Sequence, residues 1–143
     1  MAWWHTATAY QIYPRSFQDS NGDGFGDIPG IIRRLPYLHE LGIQLIWLTP
    51  MYPSPGYDNG YDISDYQNID PRYGTLADFK EMLAVAHRYH IRIMMDLVLN
   101  HTSTEHPWFK ASRQDKTNPY ADFYFWADAA VGQVPTNWHT GSF

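Results

Sequence analysis

The sequence predicts an α/β fold in which helices cover a parallel sheet. Short apolar segments of strand length alternate with segments whose apolar residues recur at helical spacing. Strands that alternate with helices form parallel sheets, because each helix carries the chain back to the start of the next strand. The pattern gives three strands and two helices, and it does not by itself separate a doubly wound sheet from a barrel.

Composition limits the class of protein. The 143 residues suit one small domain and fall short of the roughly 250 that a complete (β/α)₈ barrel needs. With 44% hydrophobic and 17% charged residues, the chain is expected to be globular. A net charge of −5 and no block of Lys or Arg predict that nucleic acid is not a partner. The absence of cysteine excludes disulfide scaffolds and thiolate metal sites.

The N-terminal residues lack the basic and apolar regions of a signal peptide, and no apolar run reaches the roughly 18 residues that a membrane span needs. We therefore expect a cytoplasmic protein with no membrane partner.

The first strand is expected over residues 7–13, followed by a loop over 18–27 that holds three Gly and three Asp. Apolar residues at helical spacing predict a helix over 29–41, which Gly42 ends. Pro36 lies inside this pattern, so we expect the helix to kink or to begin late.

A continuous apolar run predicts the second strand over residues 43–48, covered on both faces. A long loop follows, rich in Pro, Gly, Tyr and Asp. Thr75 and Asp78 have the spacing of a capping box, so a helix is expected from there to about residue 89. The third strand is expected over 91–99.

The loop over 18–27 carries oxygen side chains at alternating positions. Such spacing, followed by a glycine, allows a loop to wrap one hard cation, Ca²⁺ or Mg²⁺, in a structural role. Position twelve is Gly30, where an EF-hand needs a bidentate Glu, so we interpret the segment as a calcium-type loop outside that class. A turn stabilised by its own Asx side chains is the alternative. The candidate ligands are the side chains of Asp19, Asn21, Asp23 and Asp27 and the carbonyl of Phe25.

Polar side chains also follow the second and third strands, at the strand ends where parallel α/β proteins place their chemistry. The loop after the second strand holds Asp58, Asn59, Tyr61, Asp62 and Asp65, and Asp96, Asn100 and His101 lie within and just after the third strand. Acidic groups, an imidazole and aromatic faces suit a neutral polyhydroxylated ligand. The alternatives are that Asp96 ties loops together as a buried structural carboxylate and that His101 caps a loop.

Four segments occur in a fixed order: QIYPRSFQDSNGDGFGDIPGI, IWLTP, DNGYDISDY and MMDLVLNHTS. Together they resemble the N-terminal part of the α-amylase superfamily of glycoside hydrolases (glycoside hydrolase family 13). The nearest resemblance is to the oligo-1,6-glucosidase and α-glucosidase branch. It extends over about residues 3–126.

The resemblance implies a (β/α)₈ TIM barrel. Residues 1–101 would form its first three strands and two helices, and residues 102–143 would begin the small domain that the family inserts after the third strand.

The resemblance also implies roles for the strand-end residues. Asp96 and His101 would line the subsite for the non-reducing glucosyl unit. Asp58 would bind its hydroxyls and Tyr61 would stack on it. The 18–27 loop matches the metal loop of the branch.

The activity implied is retaining hydrolysis of short α-glucosides, isomalto- or malto-oligosaccharides, with a small oligosaccharide or disaccharide as partner. The mechanism needs two carboxylates about 5–5.5 Å apart. In this family they come from the fourth and fifth strands, expected beyond Phe143. We therefore assign no catalytic residue here and expect this segment to be inactive alone.

The alternatives are a transglycosylating or isomerising relative (sucrose isomerase, trehalose synthase), a trehalose-6-phosphate hydrolase and, outside enzymes, a calcium- or carbohydrate-binding module.

Overall fold

The computed structural model describes residues 2–127 and contains a parallel three-stranded sheet in the order β1-β2-β3. The strands are β1 (Ala9–Ile12), β2 (Leu45–Leu48) and β3 (Arg92–Met95). Ile12 pairs with Leu48, and Leu48 pairs with Met95, so all three strands end level with one another. This register creates one common carboxyl edge.

In the described part of the chain, four α-helices accompany the strands, with short 3₁₀ turns at Trp3–His5 and Ala121–Phe123. The helices are α1 (Pro14–Phe17), α2 (Ile28–Glu40), α3 (Leu76–Arg88) and α4 (Pro107–Gln114). As predicted, α2 connects β1 to β2 and α3 connects β2 to β3. Their apolar faces pack on the sheet, and the core includes Ile12, Ile31, Leu35, Leu38, Ile46, Leu48, Met82, Ala86 and Ile91.

Helix α2 begins at Ile28, earlier than predicted, because Asp27 caps it by accepting a 2.7 Å hydrogen bond from the Gly30 N–H. The expected late start is wrong, since the helix continues through Pro36 to Glu40. Gly30 packs against the preceding loop, and a Cβ there would overlap the carbonyl oxygen of Gln18.

The capping box of α3 is confirmed. The Thr75 hydroxyl accepts from the Asp78 N–H at 3.2 Å, and the Asp78 carboxylate accepts from the Thr75 N–H at 2.7 Å. These two bonds satisfy donors that the first turn leaves without helical partners.

The strands are shorter than predicted. The third ends at Met95 rather than at residue 99, because Pro50 lies two residues beyond the end of β2 and the chain there leaves the ladder. Asp96 therefore lies just past the strand, where its N–H donates to the Leu48 carbonyl at 3.0 Å. It is half-buried, and the prediction of a buried carboxylate inside the strand is wrong.

The sequence did not predict α1 or α4. The first is a single turn that starts with Pro14 at a position where the ring costs no hydrogen bond. The second opens a separate compact unit, Pro107–Phe143, after the unit that ends at His106. The predicted division after residue 101 stays a prediction, and residues 128–143 of the expected inserted domain lie outside the described part. Within residues 2–127, no helix combines the length and apolar character needed to cross a lipid bilayer.

Candidate functional site

The common carboxyl edge of the sheet carries the candidate site. The residues that follow the three strands are Tyr13, Thr49 and Asp96. The long loop after β2 returns over this edge, and the segment after β3 lies beside it. The sequence-predicted residues Asp58, Tyr61, Asp96 and His101 therefore come from two different parts of the chain to this carboxyl edge. We call the edge the rim and these four the rim residues.

Asp58 and Tyr61 are the first and last residues of one tight turn. The Tyr61 N–H donates to the Asp58 carbonyl at 2.9 Å. Between them, Asn59 and Gly60 have φ angles of 52° and 99°, a backbone region that these two residue types tolerate best. The turn thus fixes the spacing between an exposed carboxylate and a half-buried aromatic ring.

Tyr61 links this turn to the end of β3. Its hydroxyl donates to Asp96 Oδ2 at 3.0 Å. Burial raises the pKa of Tyr61, and the hydrogen-bonded Asp96 carboxylate and the nearby charge of Asp58 raise it further. The phenol therefore stays protonated and remains a donor. The Tyr52 hydroxyl adds a 3.2 Å bond to the backbone carbonyl of Asp96.

His101 lies on the same turn from the other side. Its Nε2 lies 3.2 Å from the Tyr61 carbonyl, and its Nδ1 lies 3.2 Å from the Asn100 side-chain amide. In the tautomer with its proton on Nε2, the ring donates to the Tyr61 carbonyl and accepts from the Asn100 amide. The Tyr66 hydroxyl lies 2.7 Å from the Val98 carbonyl and 2.9 Å from the His101 carbonyl, so it stabilises this segment.

The structure therefore brings the four predicted strand-end residues together. Backbone or side-chain hydrogen bonds connect Tyr61 directly to Asp58, Asp96 and His101. Two carboxylates, an imidazole and an aromatic ring consequently share one rim, a set of groups that can accept from sugar hydroxyls and pack on a sugar face.

Asp62 organises the inside of the loop. It is 8% exposed and accepts from the Ser54 hydroxyl at 2.7 Å, the Tyr57 N–H at 2.9 Å and the Asp58 N–H at 3.0 Å. Burial raises the pKa of Asp62, but these three donors outweigh burial and hold the pKa below its usual value. The carboxylate is therefore ionised near neutral pH.

Asp70 and Arg72 close the base of the same loop. Arg72 Nε and Nη2 donate to the two oxygens of Asp70 at 2.9 and 2.7 Å, and Nη2 also donates to the Ser54 carbonyl at 2.9 Å. Although burial raises the pKa of Asp70, the bonds and charge of Arg72 bring it below the usual value. This pair connects the two ends of the loop.

The predicted metal loop is held by its own Asx hydrogen bonds. Asp19 accepts from the N–H groups of Asn21, Gly22 and Gly24 at 2.9, 2.7 and 2.9 Å. These bonds lower the pKa of Asp19. Asn21 Oδ1 accepts from the N–H of Asp23 at 2.9 Å, and Asp23 accepts from the N–H of Phe25 at 2.8 Å.

Asp27 has a capping role that the sequence did not predict. Besides capping α2, it accepts from the Ser20 hydroxyl at 2.7 Å and from the Ser20 N–H at 3.2 Å. Among residues 2–127, no three His, Cys, Asp or Glu side chains come together as a metal-binding group. The metal and Asx-turn interpretations both remain compatible with this geometry.

Sequence reasoning named the four rim residues but missed most of the residues and contacts that position them. Tyr13 follows β1 directly at the common carboxyl edge, and it is among the groups that raise the pKa of Tyr61. The strand-end rule should have included it. Tyr52 and Tyr66 gave no comparable signal, because they lie in a loop without periodicity whose contacts form only when the chain folds. Asp62 was among the polar residues that the strand-end rule included, but its hydrogen bonds to the loop were not predicted.

A cavity of about 670 Å³ lies within the second unit, lined by residues between Ser112 and Ala127 that include Tyr124 and Trp126. None of the four rim residues lines it.

Comparison with known proteins gives one family. The model of the alpha-amylase catalytic domain matches residues 11–142. The chain is 58% identical over 138 residues to an oligo-1,6-glucosidase of Parageobacillus thermoglucosidasius, covering 96% of the chain and 25% of that protein. It is 60% identical over 136 residues to an alpha-glucosidase of Pediococcus pentosaceus, covering 95% of the chain and 24% of that protein.

Solved structures agree with the sequence matches. Trehalose-6-phosphate hydrolase of Bacillus licheniformis superimposes with a TM-score of 0.92 at 56% identity, covering 97% of this chain and 25% of that chain. Isomaltulose synthase of Klebsiella sp. LX3 superimposes with a TM-score of 0.92 at 55% identity, covering 96% of this chain and 25% of that chain. The chain thus spans about a quarter of the length of its relatives. These neighbours are TIM-barrel enzymes, so the predicted fold class, the N-terminal part of a (β/α)₈ barrel, is confirmed.

Proposed function

This chain belongs to the alpha-amylase catalytic-domain family, and on that premise we propose that the whole protein is a retaining α-glucosidase acting on short α-glucosides. Relatives named oligo-1,6-glucosidase and alpha-glucosidase, 58% and 60% identical to the chain, support this activity. The part of the reaction that we assign to this chain is binding of the non-reducing glucosyl unit.

The observation that carries the proposal is the 3.0 Å hydrogen bond between the Tyr61 hydroxyl and Asp96 Oδ2. It joins the loop after β2 to the end of β3 and places the four polar residues at one rim. Active sites of (β/α)₈ barrels lie at this carboxyl edge of the strands.

Each rim residue has a role that its chemistry supports. The exposed Asp58 carboxylate accepts from glucosyl hydroxyls, and Asp96 accepts with its remaining lone pairs. The Tyr61 ring packs against the apolar face of the sugar. His101, with its proton on Nε2, donates to a sugar oxygen when it exchanges the Tyr61 carbonyl for the ligand.

Retaining hydrolysis requires a nucleophile and an acid/base carboxylate about 5–5.5 Å apart. We assign neither role to Asp96, because it is held by Tyr61 and Tyr52 at the binding rim. In our proposal both catalytic carboxylates come from strands that follow β3 in the whole protein. This chain contributes by orienting the sugar toward them.

The 18–27 loop is proposed to hold one structural Ca²⁺ or Mg²⁺. The donor set fits a hard cation, because it consists only of oxygens and its low-pKa carboxylate, Asp19, is ionised near neutral pH. The metal would supply rigidity to the loop before α2 and no chemistry at the rim. The proposed ligands are the side chains of Asp19, Asn21, Asp23 and Asp27 and the carbonyl of Phe25.

A small oligosaccharide or disaccharide is the proposed partner, and the proposed location is the cytoplasm. Cell fractionation with an antibody to the protein tests the location, and recovery in the membrane or secreted fraction would contradict it.

Substrate screening of the purified whole protein tests the activity. Isomaltose, maltose, sucrose, trehalose and trehalose-6-phosphate are each incubated with the enzyme, and glucose release is measured. We expect glucose from isomaltose or maltose. An equal lack of turnover on all five would contradict the proposal.

Isomerisation is a second candidate, because an isomaltulose synthase has a TM-score of 0.92 to the chain. Product analysis with sucrose separates the two activities: hydrolysis yields glucose and fructose, whereas isomerisation yields a rearranged disaccharide.

A further inference from the structure

A buried carboxylate in the loop after β2, Asp62, lies beside the candidate site without facing the sugar. We propose that Asp62 is a positioning residue that holds the Asp58 carboxylate in place for the glucosyl unit, acting through the peptide N–H of Asp58. The inference rests on the proposed function, since it assumes that Asp58 binds the sugar.

The hydrogen bonds of Asp62 define this role. Oδ1 accepts from the Asp58 N–H at 3.0 Å and from the Ser54 hydroxyl at 2.7 Å, and Oδ2 accepts from the Tyr57 N–H at 2.9 Å. One carboxylate therefore connects the start of the loop to the two residues at its tip.

The tip needs this support. Asp58 opens a turn whose next two residues, Asn59 and Gly60, both have positive φ angles. Only one described backbone bond, from the Tyr61 N–H to the Asp58 carbonyl, closes the turn itself. The Asp62 bonds fix the peptide before the turn and so set the direction in which the Asp58 side chain leaves the backbone.

Asp62 cannot act by touching the sugar. It is 8% exposed, whereas Asp58 is exposed, and apart from its own N–H the donors described for Asp62 all belong to residues 54–58. Replacing it should therefore affect the reaction only by displacing Asp58. A displacement of about 1 Å in a binding group can reduce a rate about a hundredfold.

A double-mutant cycle in the whole protein tests the inference. Asp62→Asn keeps the size of the side chain but replaces an acceptor oxygen with an amide that donates. We expect kcat/KM on isomaltose or maltose to fall about ten- to a hundredfold. In an Asp58→Ala background the same replacement should cost less than about threefold, because the group that it displaces is already absent.

Ser64→Ala is the matched control. Ser64 closes the same loop through a 2.9 Å bond from its hydroxyl to the Pro53 carbonyl, and its N–H bonds to the same carbonyl. It makes no described contact with the Asp58 peptide. Its removal should lower the melting temperature slightly and change kcat/KM less than about twofold.

The outcomes separate the two proposals. Equal losses from Asp62→Asn in both backgrounds would overturn the positioning role while leaving the sugar site intact. Full activity of Asp58→Ala would contradict the sugar site and, with it, this inference. If Asp62→Asn does not fold, Ser54→Ala removes one donor to the same carboxylate. We then expect a several-fold loss that likewise depends on Asp58, and a loss independent of Asp58 would overturn the role.

Discussion

The Tyr61 hydroxyl donates to Asp96 Oδ2 across 3.0 Å, and the two residues are 35 positions apart in the chain. The bond joins the loop after β2 to the end of β3. Because the phenol binds Oδ2, the other carboxylate oxygen of Asp96, Oδ1, can accept a hydrogen bond from a ligand at the rim. The predictions that follow depend on this arrangement and on the networks that support it.

Tyr61→Phe removes the bond to Asp96 and keeps the aromatic ring. Because a hydrogen bond to a charged group contributes about 1.5–3 kcal/mol, we expect kcat/KM of the whole protein to fall roughly ten- to a hundredfold. Tyr57→Phe is the control, since that ring is 79% exposed and should be silent. Unchanged kinetics of Tyr61→Phe would contradict the role given to the bond.

Asp70→Asn weakens the pair that closes the base of the loop. Arg72 donates two side-chain bonds to this carboxylate, and Arg72 is 46% exposed, so water screens part of its charge. We expect a loss of about 1–2 kcal/mol in the free energy of unfolding at pH 7. Urea unfolding of the whole protein measures it, with the exposed Glu81→Gln on α3 as control.

The same variant gives a pH test. The pKa of Asp70 is lowered in the folded state, so its contribution is fully present above the unfolded value of about 3.9 and is lost as the pH falls through the folded pKa. The stability difference between the wild type and Asp70→Asn should therefore be constant from pH 7 to 5 and shrink below about pH 4. If the stability difference instead grows toward acid pH, the pKa of Asp70 is raised rather than lowered by folding, and the account of the Asp70–Arg72 pair is wrong.

Thr75→Ala removes the hydroxyl that accepts from the Asp78 N–H at the start of α3. Loss of an N-cap costs about 0.5–2 kcal/mol, so the melting temperature should fall. Thr75→Ser restores the hydroxyl and should return most of the stability. Equal melting temperatures for the Ala and Ser variants would mean that the cap contributes nothing.

Metal removal tests the 18–27 loop. After chelation, added Ca²⁺ or Mg²⁺ should raise the melting temperature of the whole protein, because a cation that binds only the folded state stabilises it. Asp19→Asn should reduce the shift, while Asp115→Asn, on a different loop, should keep it. No shift in the wild type would leave the Asx-turn interpretation in place.

The fold could largely be predicted because local patterns specify it. Thr75 and Asp78 define the start of α3 through bonds between near neighbours, and the apolar face of α2 follows from its spacing. The end of β3 was misplaced, because it depends on where β2 stops pairing rather than on the apolar residues after Met95. Helix α4 was missed although Pro107 marked its first turn.

The candidate site was predictable in its members but not in its connections. Asp58, Tyr61, Asp96 and His101 all follow from the strand-end rule, and the family resemblance selects them among the polar residues there. The role of Asp62 depends on three donors in a loop without periodicity, and only tertiary contacts reveal it.

The most direct test is a crystal structure of the whole protein with glucose bound. The account predicts a glucosyl ring packed on Tyr61, with its hydroxyls or ring oxygen within hydrogen-bonding distance of Asp58, Asp96 and His101. A glucose bound elsewhere in the barrel mouth, with these four side chains in contact only with one another or with water, would contradict it.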